Sequence, residues 1–398
     1  MEKLITPIVN DTELILPLKG RIDTNNAPAL DAEISEITAA HSGLPLVFDA
    51  RQLEYISSAG LRVLLKIAKS CGKKVKVLNV PKDVYEIFET TGFTNILDVH
   101  KALREISVEG CPLLGSGGYG KVYRLDEETI AKLYSSNFSL EMVQQERNTA
   151  QKAFLLGVPT AISYDVVKCG DCYGVVYELL NAKTLAQTIY EAPSKIPEMA
   201  KRAASLLKEM HKISIQDKSF PNKKEILFDW LNHVSPYITP EETEEIRNFI
   251  ASVPDANSFI HGDYNAKNIM VQDDKMILID IGDAAYGHPV LDVADLIFAY
   301  KHLPNASIPD ETKFRLIGFN REDAPAMLNA LIGEYFGVSS PDEIKKYLDM
   351  LMPYADILIA YHISHRFNYA KDMMEKSADL LIRKQLLPAI RSAVPLEW

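Results

Sequence analysis

At 398 residues the chain exceeds what one hydrophobic core usually holds, and its 47% apolar and 24% charged content excludes a disordered polypeptide. Its 54 acidic and 43 basic residues give a formal net charge of -11, which disfavours nucleic acid and anionic membrane as main partners and leaves room for a cationic substrate. The opening residues lack the basic stretch and apolar core of a secretory signal, and no uncharged apolar run is long enough to span a bilayer, so a cytoplasmic protein is expected.

The first hundred residues alternate strand and helix. Residues 12–23 read as a strand, and Asp23 and Thr24 are N-cap candidates for a helix carrying Leu30, Ile34 and Ile37 at helical spacing. Strand-like 44–50 leads to a second helix, on which Leu61, Leu64, Leu65 and Ala68 form one stripe. A third strand, 74–80, stops at Pro81, and a helix with Val84, Ile87 and Phe88 follows. This order predicts a small α/β domain.

The segment FDARQLEYISSAGLRVLL resembles the STAS domain of anti-sigma factor antagonists, over residues 1–108. The resemblance places Ser58 at the position of a phosphorylatable serine and implies a protein partner for the domain. A phosphate at a helix N-terminus would meet free backbone N–H groups and add nearly two negative charges to a docking surface. Switchable members carry Asp before the acceptor where this chain has Ser57, and an N-cap role for Ser57 or Ser58 stands beside the regulatory one.

From Cys111 the sequence changes character. CPLLGSGGYGKVYRL sets Gly115, Gly117, Gly118 and Gly120 between two strand-like runs. A dinucleotide-binding turn would need a helix after the glycines, whereas KVYRL and TIAKLY read as strands around an acidic turn at 126–128. Strand, glycine-rich turn and strand make a flap whose backbone N–H groups can approach nucleotide phosphates. Lys132 lies on the following strand, where a kinase lysine grips the α- and β-phosphates, and Glu146 borders the apolar face of a helix on which Leu140, Val143, Ala150 and Phe154 align. Cys169-Gly-Asp-Cys172 has metal-site or redox spacing, but without a second such pair it reads as a turn between strands. The second of those strands ends at Glu178-Leu179-Leu180, where a hinge would offer Glu178 and Leu180 backbone groups to adenine.

The run FIHGDYNAKNIMVQDDKMILIDIGDA reads as a loop after a helix, a hairpin turning at 273–274, and a second loop. His261-Gly262-Asp263 with Asn268 matches the HGDxxxxN loop of kinase-like enzymes, and Asp280 matches their metal-binding aspartate. Phosphoryl transfer needs positioning more than covalent help. Asp263 would orient or deprotonate a hydroxyl, Asn268 and Asp280 would give oxygen ligands to Mg2+, and Lys132, paired with Glu146, would neutralise the phosphates of ATP.

Across 110–398 the chain is similar to the aminoglycoside phosphotransferase and choline kinase-like superfamily. No long activation loop or peptide-docking motif follows Asp280. The resemblance implies a two-lobed α+β protein kinase-like domain after the STAS domain, with lobes at 109–183 and 184–398. It also implies that Asp292 and His261 brace the catalytic loop, and that the acceptor is a hydroxyl-bearing small molecule, aminoglycoside- or choline-like. Two other outcomes stay open: phosphorylation of a protein serine such as Ser58, and a non-catalytic nucleotide-binding scaffold. Tyr354, Asp356, Tyr361, His362, His365 and Arg366 share a late helix and are expected mostly to pack the core. Thr239 and Ser340 read as caps of solvated helices.

Overall fold

The computed structural model describes every residue except 1–3, 73, 218, 274 and 367, so Asp274 of the expected turn lies outside the described residues. The chain divides into two compact units, Met1–Ile106 and Ser107–Trp398.

The first unit is a five-stranded sheet in sequential order: Ile8–Val9, Leu14–Ile22, Leu46–Ile56, Lys76–Val80 and Asp98–Lys101. The first pair is antiparallel and the rest are parallel, joined by helices Ala27–Ala40, Ser58–Cys71 and Lys82–Thr90. Buried Leu14, Leu16 and Leu18 alternate with half-buried Ile15 and Pro17, as in a strand with one face in the core. They pack with Phe48, Leu30, Ile34, Leu64, Val84 and Phe88.

The N-cap position of the first helix falls on Asn26, not on Asp23 or Thr24, and its side chain makes no cap bond. Asp23 and Asn26 instead bond each other's backbone N–H groups across the turn, and Pro28 takes the first helical turn, where a missing N–H costs nothing. Ser57 caps the second helix, accepting a hydrogen bond from the Gly60 N–H, and Ser58 is its exposed first residue. Gly60 is obligatory, because a Cβ there would lie 2.6 Å from Ile22.

The second unit starts with an antiparallel sheet. In spatial order its strands are Ser163–Cys169, Cys172–Glu178, Thr129–Tyr134, Gly120–Arg124 and Leu113–Ser116. Cys169 and Cys172 face each other across the Gly170-Asp171 turn, so the CxxC spacing belongs to a hairpin and both thiols are free. Helix Leu140–Leu155 buries Val143, Ala150 and Ala153, while Phe154 is 43% exposed. The expected stripe is therefore rotated by one residue at its end, which sets small Ala153 rather than a bulky ring against the core.

The rest is helical, its core built from helices Ile196–His211, Lys223–Val234, Pro240–Ser252, Ala324–Phe336 and Pro341–Arg366. Thr239 and Ser340 make the cap bonds expected of them. A hairpin, Ile269–Gln272 with Lys275–Leu278, and a strand pair, Ser258–Ile260 with Ala285–Gly287, cross this helical body. The catalytic-loop sequence thus follows a short strand rather than a helix. Among the described residues no helix is long and apolar enough to cross a membrane.

Candidate active site

Two short pairings bring the loop sequences together. Ile260 pairs with Ala285, so His261 leaves the strand pair where the 280–284 loop enters it. Ile269 pairs with Leu278, and the Ile279 N–H donates to the Asn268 carbonyl at 2.9 Å, so Asn268 and Asp280 stand side by side at the open end of the hairpin. Residues 12 positions apart thereby become neighbours.

Gly262 explains the HGD sequence. Its φ is +84°, and an added Cβ would lie 2.4 Å from the Asp283 carbonyl oxygen, so no other residue lets the two loops approach. Asp280 also takes left-handed backbone, with φ 62° and ψ 55°, a conformation that Asp tolerates better than most residues and that is concentrated at functional sites.

Beneath the loop, fully buried Asp292 accepts hydrogen bonds from the His261 and Gly262 N–H groups at 2.7 and 2.8 Å, and its Oδ2 also meets His211 Nε2 at 3.2 Å. Burial would raise its pKa, but the bonds from His211 and the nearby His261 outweigh burial and hold the carboxyl below its ordinary value. His261 is itself buried, and desolvation lowers its pKa, so the ring is neutral. Its Nδ1 accepts from the Asp263 N–H at 3.3 Å, which leaves the ring proton on Nε2.

Asp263 is half-buried, with its carboxylate oriented on both oxygens. Asn265 Nδ2 donates to Oδ1 and Asn268 Nδ2 to Oδ2, each at 2.8 Å. Desolvation first, then Asp295 and Asp280, push its pKa up to about 7, against a lowering influence of His362. The Asn268 amide nitrogen is thus committed to Asp263, while its oxygen keeps its acceptor capacity for a cation.

Lys132 joins three elements. Its ammonium donates to Glu146 Oε1 and to Asp280 Oδ1, both at 2.7 Å. Burial disfavours the charge, but the two carboxylates outweigh it and hold the pKa above the ordinary lysine value. An ammonium has three N–H groups, and the third remains for a phosphate oxygen. Burial would raise the Asp280 pKa, yet Lys132 holds it below the ordinary carboxylate value. Gly282 packs against the Glu146 carboxylate, where a Cβ would come to 3.2 Å.

The glycine-rich hairpin runs along the other side. Around Gly115, Gly117 and Gly118 nothing lies within 4 Å of an added Cβ, so their backbone is open to a ligand. Gly120 differs: its Cβ would lie 1.9 Å from the Leu133 carbonyl oxygen, in the strand next to Lys132. Gly120→Ala is therefore expected to cost about 1–3 kcal/mol through overpacking and to raise KM for ATP about tenfold, measured by melting temperature and steady-state kinetics. At the tip, Tyr119 packs edge-on against Phe138 at 5.8 Å between ring centroids, and partial burial, then the charges of Asp283, Asp263 and Asp280, raise its pKa.

At the end of the sheet, the Glu178 carboxylate accepts from the Ile162 N–H at 2.7 Å, and the Leu180 carbonyl accepts from the Ala182 N–H at 2.9 Å. The Glu178 side chain is thus engaged within the protein.

Other residues of the site carry no local sequence signal. Asn265 orients Asp263, the Tyr264 hydroxyl anchors the loop by donating to the Ala203 carbonyl at 2.7 Å, and Tyr300 accepts from the Ala266 N–H at 2.7 Å. Asp295 pairs with His362 Nε2 at 3.2 Å. Of the late-helix residues, Tyr354 and Asp356 are buried as expected, His362 joins the site, and His365 and Arg366 are exposed.

Among the described residues no three His, Cys, Asp or Glu side chains could hold a metal alone. One carboxylate and one amide oxygen, Asp280 and Asn268, form a hard-oxygen donor pair that phosphate oxygens and water would complete, which fits Mg2+ carried with a nucleotide.

Residues 110–323 match the family described as "Phosphotransferase enzyme family", and residues 4–106 match the STAS domain. The first unit is therefore a STAS domain. It is 36% identical over 92 residues to the anti-sigma factor antagonist BtrV of Bordetella bronchiseptica, covering 22% of this chain and 78% of that protein. It is also 27% identical over 93 residues to the anti-sigma-B factor antagonist of Bacillus subtilis, covering 23% and 84%. Among solved structures, the streptomycin–ATP complex of APH(2'')-IIa is 18% identical with a TM-score of 0.43, covering 69% of this chain and 92% of that one. A choline/ethanolamine kinase family protein from Mesorhizobium loti is 17% identical with a TM-score of 0.43, covering 70% and 92%.

Proposed function

Since the chain belongs to the phosphotransferase enzyme family, we propose that it transfers the γ-phosphate of ATP, with Mg2+, to a hydroxyl of a small molecule. The supporting observation is the Lys132 ammonium, bonded at once to Glu146 and Asp280 and so joining the sheet, the helix and the metal-side loop around one cleft. Residues 109–183 and 184–398 are taken as the two lobes that bound it. Its use of ATP places the enzyme in the cytoplasm in this reading.

Each residue then has a defined task. Lys132 gives its remaining N–H to the α- and β-phosphates, and Glu146 keeps it in place. Gly115, Gly117, Gly118 and Gly120 let the flap backbone close over the phosphates, and the backbone at Glu178 and Leu180 receives adenine. Asn268 and Asp280 would hold Mg2+, which neutralises charge on the phosphates when bound. Asp263, held by Asn265 and Asn268, orients the acceptor hydroxyl and takes its proton. His261 and Asp292 keep that loop in shape.

A second reading, transfer to a protein serine, draws on the exposure of Ser58 at the first turn of its helix. In either case the STAS domain would engage a protein partner.

An ATP-consumption screen against aminoglycosides, choline-like alcohols, sugars and the protein itself tests the proposal. Expected is a magnesium-dependent rate that EDTA abolishes and Asp263→Asn removes. Label from γ-labelled ATP that stays on the wild-type protein but not on Ser58→Ala would favour the second reading. Turnover that survives EDTA or Asp263→Asn unchanged would refute both.

A further inference from the structure

Lys223 is only 2% exposed, although it opens helix Lys223–Val234. Among the described residues its ammonium has neither a hydrogen-bond acceptor nor a carboxylate partner. Its one polar contact is the face of Tyr361, 5.0 Å from the ring centroid. The stem is enclosed, but Nζ is not among the fully enclosed polar atoms of the described residues, so the ammonium still reaches space that an anion could occupy, and a ring face meets only part of its need for a partner.

Its neighbours place it within the site. The preceding residue, Asn222, bridges to Tyr286, and the Lys223 Cβ packs on Gly287, both in the strand that leaves the 280–284 loop. Tyr361 contacts the ring of His362, 5.1 Å away, whose Nε2 is bonded to Asp295. His362 feels the charges of Asp295, Lys223 and Asp263, and Tyr361, on which Lys223 rests, precedes it on the same helix. Lys223 thus lies on the side of Asp263 and His362. The acids there are accounted for in other ways: Asp295 is paired with His362, Asp263 is held by two asparagines, and Asp283 is bonded neither to Lys223 nor to His362.

We propose that Lys223 receives an anionic group of the acceptor, a carboxylate or a phosphate, so that the substrate is a hydroxyl compound carrying negative charge. This rests on the reading above, in which Asp263 marks the place of the acceptor hydroxyl. It replaces the expectation of a cationic acceptor drawn from net charge, because the net charge of a whole chain says little about one buried subsite.

The test is magnesium-dependent ADP release by the full chain with matched acceptors: glycerol and choline against glycerate and glycerol 3-phosphate. The anionic members are expected to raise the rate above that with water alone, and Lys223→Met to raise KM for the active anion about tenfold or more while lowering kcat less. Lys223→Arg should recover part of that loss. Glycerate and glycerol 3-phosphate used alone distinguish carboxylate from phosphate. Stimulation by glycerol or choline equal to that by the anions overturns the proposal, as does the absence of any Lys223-dependent effect of an anion. If wild-type ATP turnover is lost in Asp263→Asn yet ignores the anions, only this inference fails. If no turnover depends on Asp263, the phosphotransferase reading beneath it fails as well.

Discussion

Asp263→Asn lowers kcat by about 10²- to 10⁴-fold, the usual worth of a positioned general base, while KM for ATP changes little. The substitution preserves size and removes the capacity to take a proton. Its carboxylate is oriented on both oxygens by side-chain amides, from Asn265 and Asn268. The same environment sets the pH dependence. With burial, Asp295 and Asp280 pushing the pKa up to about 7, the carboxyl is protonated below that value and cannot accept the hydroxyl proton. The wild-type kcat/KM therefore rises with pH up to about 7 and then levels, with no such limb in the residual activity of Asp263→Asn. Steady-state ADP release across pH 5 to 9 measures both, and a variant with wild-type kcat would remove Asp263 from the chemistry.

Asp292→Asn destabilises the second unit by about 3–5 kcal/mol, because it takes the charge from a fully buried hub. The native carboxylate meets three groups at once: the N–H of His261, the N–H of Gly262 and the ring of His211. An amide must point its own NH2 at one of these donors, leaving both unsatisfied in a site that water does not reach. The urea midpoint of the second unit should fall accordingly, and kcat with it, since the backbone of the loop that carries Asp263 is held from below by this residue. The sign with pH follows from the depressed pKa of Asp292: its stabilisation is present above the ordinary carboxylate range and is lost as pH falls below that range through the depressed value. Wild-type protein should thus lose stability in acid more steeply than the variant. A variant that unfolds at the wild-type urea concentration would show that the loop holds itself.

What the sequence disclosed was set by how local each contact is. His261, Gly262, Asp263 and Asn268 lie within eight residues, and a two-stranded hairpin then delivers Asp280, so residue types and spacing together specify that arrangement. Lys132 and Glu146 are 14 residues apart on a strand and the next helix, which made their pairing readable. That Asp292 also meets His211 was not readable, because His211 lies 81 residues away on another helix, and Asp295 and His362 are separated by 67. Such pairs arise only when helices pack, and a histidine on a helix gives no sign of which neighbour it will meet. Lys223 was hidden for a related reason: as the first residue of a helix between Asn222 and Lys224 it looks solvated, and only the packing of Tyr361 and Gly287 around it buries the chain. Local errors had local causes. Asn26 displaced Asp23 and Thr24 at the cap position because Pro28 fixes where the helix starts, and a small drift in helical phase put Ala153 inward and Phe154 outward.

In the proposed mechanism Lys132, Asn268 and Asp280 serve a single nucleotide and its divalent ion. Calorimetric titration of ATP into the full chain, with and without Mg2+, in wild type and Asp280→Ala, measures that directly. Tighter binding with magnesium in the wild type, and none of that gain in the variant, is the predicted result. An ATP affinity that is the same in all four titrations would contradict it.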